Sequence, residues 1–130
     1  MVNTIIIQGV KLQSTSFPPE WSEVTVLHLE DEMLTITFKD EAVSVVPGDT
    51  PDAQSIVQLS KKRLCDIIDG SIDFMIVWRE LAEPSPTDRT YILKGSGAKL
   101  FTLLDSLIKC YRSNEEFKQL VDNYKAHLTS

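Results

Sequence analysis

Histidine and cysteine, the side chains most often used for metal binding and proton transfer, are few in this sequence and far apart. His28 and His127 are the only histidines, and Cys65 and Cys110 are the only cysteines. A metal site or a catalytic base needs several such groups at short spacing, with an organised partner for each. We therefore predict a protein that is not an enzyme and needs no metal or cofactor, with both cysteines as buried, reduced thiols.

One stretch, Gly95-Ser96-Gly97-Ala98-Lys99, has the glycines of a phosphate-binding loop ahead of a predicted helix. It lacks the full P-loop spacing and the Lys-Ser/Thr pair that would act on phosphate and Mg²⁺. We interpret it as a strand-to-helix turn with Ser96 as the helix cap. The acidic stretches 30–32 and 40–41 lack EF-hand spacing and are interpreted as solubilising turns.

The basic residues offer one candidate anion contact, made of Lys11, Lys61, Lys62 and Arg63. Acidic residues follow this cluster closely, which favours a solvated surface over a ligand site. The whole chain carries a net charge of −6, with 19 acidic against 13 basic residues. That balance opposes nucleic-acid binding and non-specific attraction to anionic membranes.

Two groups of apolar side chains are candidate protein interfaces. Phe17 and Trp21 flank a loop with two prolines, and exposed aromatic side chains are typical interface anchors; the alternative is a loop folded over the end of the domain. A helical stripe near the C-terminus would fit a groove on a partner or on a second copy of the chain. Packing within its own domain is favoured, because monomers rarely expose large apolar patches. The stripe consists of Phe117, Leu120, Val121 and Tyr124.

Hydrophobic periodicity predicts mostly strands, followed by helix. A β-branched run at 4–12 is predicted to be a strand bent at Gly9. Ser60–Gly70 fits a short capped helix or a continuing strand. From residue 100 the period changes to that of an amphipathic helix. Either a second helix starts at Asn114, with Ser113 as its cap, or one long helix is kinked near Arg112. The remaining predicted strands are 23–29, 33–39, 42–46, 55–59, 72–79 and 90–94.

This order resembles the pleckstrin-homology-like superfamily. The residues that carry the resemblance are Gly9 in the first run, Trp21 before the second, and three later stretches, 55–60, 74–76 and 89–93. The resemblance implies an α+β fold, an antiparallel seven-stranded PH-like barrel over residues 1–112 closed by a C-terminal amphipathic helix. Residues 113–130 would be a helical extension packed on the same domain.

The lipid-binding members of that superfamily carry several converging basic residues, and this chain departs from their pattern. Ser22 and Glu23 follow Trp21, and Lys11 is the only cation near the first predicted strand. We therefore predict a non-catalytic adaptor or assembly module that binds a protein partner, with a homodimer through the C-terminal helix as one form of it. A phosphoinositide-binding module is the alternative, and a small α+β enzyme is the second alternative.

Composition fits an intracellular globular domain. Apolar residues make up 42% of the chain and charged residues 25%, as in ordinary folded proteins. The first eight residues have neither a basic start nor the long apolar stretch of a signal peptide. We therefore expect a cytoplasmic location, with the nucleus as an alternative.

Overall fold

The computed structural model describes residues 2–12, 16–76, 91–95 and 98–129. A short helical turn at 74–76 also lies in this part of the chain. The chain is α+β, as predicted. Its elements, in order, are α1 (Val2–Leu12), β1 (Glu23–Leu29), β2 (Glu32–Lys39), β3 (Ala42–Pro47), β4 (Ser55–Gln58), α2 (Lys61–Asp69), β5 (Tyr91–Lys94), α3 (Ala98–Ser113) and α4 (Glu115–Thr129).

The strands form one open five-stranded sheet in the order β3-β2-β1-β4-β5. The predicted meander of β1, β2 and β3 is present, with antiparallel pairing throughout. β4 then pairs parallel to β1, and β5 pairs antiparallel to β4. The predicted seven-stranded PH-like barrel is therefore wrong: the chain crosses over after β3 to the other side of β1, so β3 and β5 are the two outermost strands of an open sheet in the described ranges.

The first predicted strand is also wrong, because residues 2–12 form α1. Ile5 and Ile6 are buried, and the inward positions recur with a helical rather than a strand period. Gly9 allows α1 to approach its neighbours closely. A Cβ atom at this position would lie 2.5 Å from Leu107 Cδ2 and 3.0 Å from the Phe117 ring. The glycine therefore serves helix packing and not a strand bend.

The strand predicted at 72–79 also differs from what the structure shows. Residues 74–76 are helical, and residues 77–79 lie outside the described ranges. Asp73 begins the turn, because its Oδ1 accepts a hydrogen bond from Met75 N at 2.9 Å. An Asp in this position satisfies a backbone donor that the helix start would leave unpaired.

Local caps decide the remaining helix boundaries. Ser60 Oγ accepts from Arg63 N at 3.0 Å, and Gly70 ends α2 in the left-handed conformation with φ 85°. Of the two alternatives for this stretch, the helix is therefore correct. The break between α3 and α4 is also confirmed, but Asn114 is the cap in place of Ser113: its Oδ1 accepts from Phe117 N at 3.0 Å.

The core lies between the helices and one face of the sheet. Strand residues on this face are buried, among them Leu27, Leu34, Ile36, Phe38 and Val57. The opposite face carries the alternate residues; Met33 on β2 and Val46 on β3 are exposed there, whereas Val26 and Thr35 are buried. α3 packs against α1, α2 and α4. Within the described ranges, no helix has the length and apolar character needed to cross a bilayer.

Candidate binding groove between α2 and α3

An open groove of about 620 Å³ lies beside the C-terminal half of α2 and the last turns of α3. Four apolar residues contribute to its lining. Ile67 and Ile108, from the two helices, are buried, whereas Ile72 and Phe74, from the segment that follows α2, are half-buried. The Phe74 ring lies 6.2 Å from the ring of buried Phe101, which anchors this segment to the core.

The rim of the groove is polar, and its carboxylates already have structural tasks. Asp73 caps the helical turn at 74–76. Asp105 forms an ion pair with Lys109, with 3.2 Å between Oδ2 and Nζ. Arg112, in the last turn of α3, has no ion-pair partner in the described part of the chain. The groove thus offers two half-buried apolar side chains, Ile72 and Phe74, and the guanidinium of Arg112, which can bind a partner without any catalytic group.

A cluster of buried charges fixes the wall of the groove. Lys125 Nζ, from α4, lies 2.7 Å from Asp69 Oδ2 and 2.9 Å from Ser71 Oγ, and both of these residues belong to the end of α2 and the turn after it. The same Nζ lies 2.6 Å from Oδ1 of buried Asp66. This last contact is an ion pair whose angle falls outside hydrogen-bond geometry. α4 is thereby tied to α2 at the edge of the groove.

Opposing effects set the pKa values of this cluster. Burial alone would raise the pKa of Asp66, but the ammonium groups of Lys125 and Lys62 outweigh burial and hold that pKa below its ordinary value. Burial would lower the pKa of Lys125, but Asp66 and Asp69 raise it further than burial lowers it. Cys65, beside the cluster, is a free buried thiol whose pKa burial raises to about 12. The cluster is therefore ionised and the thiol neutral near neutral pH.

The predicted anion contact is largely occupied by protein carboxylates. Lys61 Nζ forms ion pairs with Asp31 and, at 2.9 Å, with Glu32, which fastens the start of α2 to the acidic β1–β2 turn. Lys62 Nζ lies 2.9 Å from Asp66 Oδ2. The acidic turn is therefore more than a solubilising loop, since Glu30 Oε1 also accepts from Lys61 N at 3.1 Å.

The other two cations of that predicted set, Lys11 and Arg63, lie on different helices. Lys11 is exposed on α1, which packs against α3, α4, β2 and β3, whereas α2 packs against α3 and α4. Arg63 is half-buried on α2.

The aromatic loop predicted as an exposed anchor is folded onto the domain. Phe17 is buried, stacks on Trp21 at 5.7 Å, and meets the edge of Phe38 at 5.4 Å. Trp21 is half-buried, and Lys99 Nζ lies 5.4 Å from the centre of its ring. Of the two alternatives for this loop, the correct one is therefore a loop folded over the domain.

The predicted helical stripe is divided between the core and the surface. Phe117 and Val121 are fully buried among α1, α3 and α4 residues of the single core. Leu120 and Tyr124 are half-buried and pack against it. Tyr111 Oη donates a 2.6 Å hydrogen bond to Asp122, which further fixes α4 on α3. The stripe therefore holds this chain's own helices together in the structure.

The remaining predicted residues are placed as follows. His28 is half-buried on β1 and His127 is exposed on α4. Both cysteines are free and buried, as predicted. Gly95 adopts φ 66°, which suits a turn glycine, while Ser96 and Gly97 lie outside the described residues. No three His, Cys, Asp or Glu side chains in the described ranges are grouped as a metal site.

The groove itself was not predicted from the sequence. Ile72 and Phe74 were assigned to a strand, and Ile108 and Arg112 to an ordinary amphipathic helix. One signal was present: Gly70 and Asp73 are helix-stop and helix-cap residues three positions apart, which is typical of a turn between two helices. That pattern places Ile72 and Phe74 beside α2.

The sequence matches no protein-family model and no curated protein. Among solved structures, the sec-alkylsulfatase Pisa1 from Pseudomonas sp. aligns with 80% of this chain at TM-score 0.47 and 16% identity. A double mutant of that sulfatase aligns with 65% at TM-score 0.49 and 19% identity. The chain spans only 14% and 13% of those two chains.

A ubiquinone synthesis protein, UbiJ-SCP2, aligns over most of both chains. The alignment covers 83% of this chain and 84% of that one, at TM-score 0.47 and 13% identity. At these TM-scores and identities, the likeness to any of the three structures carries no argument about what this chain does.

Proposed function

We propose that this chain is a non-catalytic protein-interaction domain, and that the groove between α2 and α3 docks an apolar segment of a partner protein. The observation that carries the proposal is the pair of exposed apolar side chains, Met75 and Ile76, that follows the groove-lining residue Phe74. Their exposed fractions are 66% and 43%. Exposed apolar groups beside a groove mark interaction sites.

The state of the polar groups supports binding over catalysis. A general acid or base needs a side chain free to reach a substrate proton. In the groove, Asp73 accepts a hydrogen bond from Met75 N, and Asp105 forms an ion pair with Lys109. The nearby Cys65 thiol is buried with a raised pKa, which disfavours a nucleophilic thiolate. The groove therefore offers shape and apolar contact, with Arg112 to orient the bound segment.

The test is affinity co-purification from the cells that make the protein. The double variant Met75→Glu with Ile76→Glu is expected to lose the partner while keeping the fold, because both side chains are exposed. A matched control adds the same two charges on the outer side of α4, at exposed Gln119 and Asn123. Equal recovery of every partner by the groove variant and the control would refute the groove as the docking site.

A second candidate occupant is a small amphipathic molecule with an anionic group. The volume of about 620 Å³ lies within the usual range for such ligands, and Arg112 is placed to bind an anion. Native mass spectrometry of the purified protein tests this candidate. A bound small-molecule mass that disappears in Arg112→Met would favour it over the protein segment, and a bare protein mass would oppose it.

A further inference from the structure

The outer edge of β3 exposes backbone groups whose positions follow from the turn before the strand. Asp40 and Glu41 both have positive φ, 54° and 67°, and form the two-residue loop of the β2–β3 hairpin. In such a hairpin the residues that flank the loop, Lys39 and Ala42, form a hydrogen-bonded pair. Every second residue after Ala42 also bonds to β2, so Val43, between them, turns its N–H and C=O away from the sheet.

The same alternation places the N–H and C=O of Val45 on the outer edge. Within the described residues, these outward groups of Val43 and Val45 have no hydrogen-bond partner. Both side chains pack against the core, which holds the strand in place. At the start of the strand, Phe17 N donates to Glu41 O at 3.1 Å, before the outward groups of Val43 and Val45. Ala42–Pro47 contains no charged residue, although natural edge strands are commonly protected by charge.

The edge carries negative charge at both ends. Asp40 and Glu41 are exposed at its start, and Asp49 is exposed just beyond Pro47. Lys39, on β2, is the basic residue beside the first end. Two copies paired edge to edge would bring acidic ends together in either strand direction, which is destabilising. Charge therefore disfavours a second copy and favours a segment with Lys or Arg at its ends.

The open face of the sheet adds an apolar contact beside this edge. Val46 is 55% exposed and Met33, on the neighbouring strand, is 38% exposed. Gly48 N donates to Met33 O at 2.8 Å, which holds the end of β3 against β2 without a side chain to cover that place. An apolar side chain of an added strand would pack against Val46 there.

We propose that the β3 edge binds an extended segment of a partner protein by strand addition, with an apolar centre and basic residues at both ends. Backbone hydrogen bonds to Val43 and Val45 supply the binding, and the acidic ends with Val46 supply the selectivity. This surface is distinct from the α2–α3 groove, and its occupant is a different kind of segment.

The test is selection of a displayed library of random peptides, each about ten residues long, followed by affinity measurements on the full chain. Val45→Pro removes the outward N–H, and an edge strand tolerates proline at such a position. Val45→Ala is the matched control, because it loses similar packing but keeps the N–H. Circular dichroism verifies that both variants are folded.

The expected result is a set of peptides rich in Lys or Arg at their ends, whose affinity falls about ten-fold with Val45→Pro and much less with Val45→Ala. Asp40→Asn with Asp49→Asn should weaken the same peptides and reduce their salt dependence. Met75→Glu with Ile76→Glu should leave them unchanged, so failure of the groove proposal is separable from failure here.

Three results would overturn the proposal. The first is a selection in which no peptide distinguishes Val45→Pro from Val45→Ala. The second is a set of binders without basic ends whose affinity is insensitive to the acidic residues. The third is a stable dimer, seen by sedimentation equilibrium and removed by Val45→Pro, which would assign the edge to a second copy of the chain.

Discussion

The helix-covered face of the sheet and its open face are built on different principles. On the covered face, α1, α3 and α4 meet at Gly9 and Phe117 with almost no free space, and the Lys125 cluster ties α4 to α2. On the opposite face, Val26 and Thr35 are buried, but Met33 and Val46 are exposed towards the β3 edge. The contrast teaches that the main core lies on one face, while exposed apolar side chains near the β3 edge and at the groove margin are available for binding.

The largest expected effect separates these two faces directly. Phe117→Ala should lower the free energy of unfolding by about 3–5 kcal/mol, because it leaves a cavity beneath α1 and α3. Val46→Ala, on the open face, should change it by less than about 0.5 kcal/mol. Urea unfolding of both variants measures the difference, and similar values for the two would contradict the division between the faces.

Breaking the charge cluster should have the next largest effect. Lys125→Met leaves buried Asp66 with only Lys62, and we expect a loss of about 2 kcal/mol, less than for a fully buried pair because Lys125 is 25% exposed. Lys109→Met is the matched control, since its pair with Asp105 is exposed and worth less than about 0.5 kcal/mol. Combining Asp66→Asn with Lys125→Met should recover part of the loss, and chemical denaturation of the set tests this.

Acid should weaken the same cluster by a smaller amount. The folded pKa of Asp66 lies below the ordinary value of 3.8. The contribution of Asp66 to the free energy of unfolding is therefore complete when the pH is above the ordinary pKa, and it is lost as the pH falls through the folded pKa. Asp66→Asn should show a shallower decline of unfolding free energy below about pH 4.

The comparison between wild type and Asp66→Asn is needed because another carboxyl contributes in the same interval. Asp122 accepts a hydrogen bond from the Tyr111 hydroxyl, and its pKa is also lowered. The difference between the two stability curves isolates Asp66. Parallel curves for the two proteins below pH 4 would show that Asp66 does not stabilise the folded state in the way the structure indicates.

The smallest expected effect lies at the edge of the open face. Glu41 has φ 67° without being glycine, a conformation that costs a side-chain-bearing residue energy. Glu41→Gly creates the Asp-Gly pair favoured in this turn and should stabilise the protein by about 0.5–1 kcal/mol. The backbone acceptor for Phe17 N is kept. Destabilisation in thermal unfolding would show that the Glu41 side chain has a role that the structure does not indicate.

The sequence predicted the elements whose patterns are local. The β1–β3 meander follows from alternation and short polar turns, α2 from its Ser60 and Gly70 caps, and α3 and α4 from their apolar stripes. The run at 4–12 was misleading because β-branched residues favour strands, while in the structure this run is a helix whose Gly9 lies close to Leu107 and Phe117. Local propensity contains no information about those distant partners.

The topology and the groove depended on non-local contacts. The residues of the loop from Pro47 to Ser55 do not indicate that β4 pairs parallel to β1. This one pairing decides between a barrel and an open sheet. The groove, in turn, is assembled from α2, the turn after it and α3, which are separated along the chain. Asp66 is close enough to Lys62 in sequence to suggest their pairing, but nothing local indicates that Lys61 pairs with Asp31 and Glu32 of the β1–β2 turn.

Site-specific photo-cross-linking in living cells tests the central claim most directly. A photoreactive amino acid replaces Met75 at the groove margin in one protein and Gln119 on the outer face of α4 in another. The proposal predicts a discrete protein adduct from position 75, abolished by adding Ile76→Glu, and no matching adduct from position 119. The same adduct from both positions, or none from position 75, would contradict a docking site in the groove.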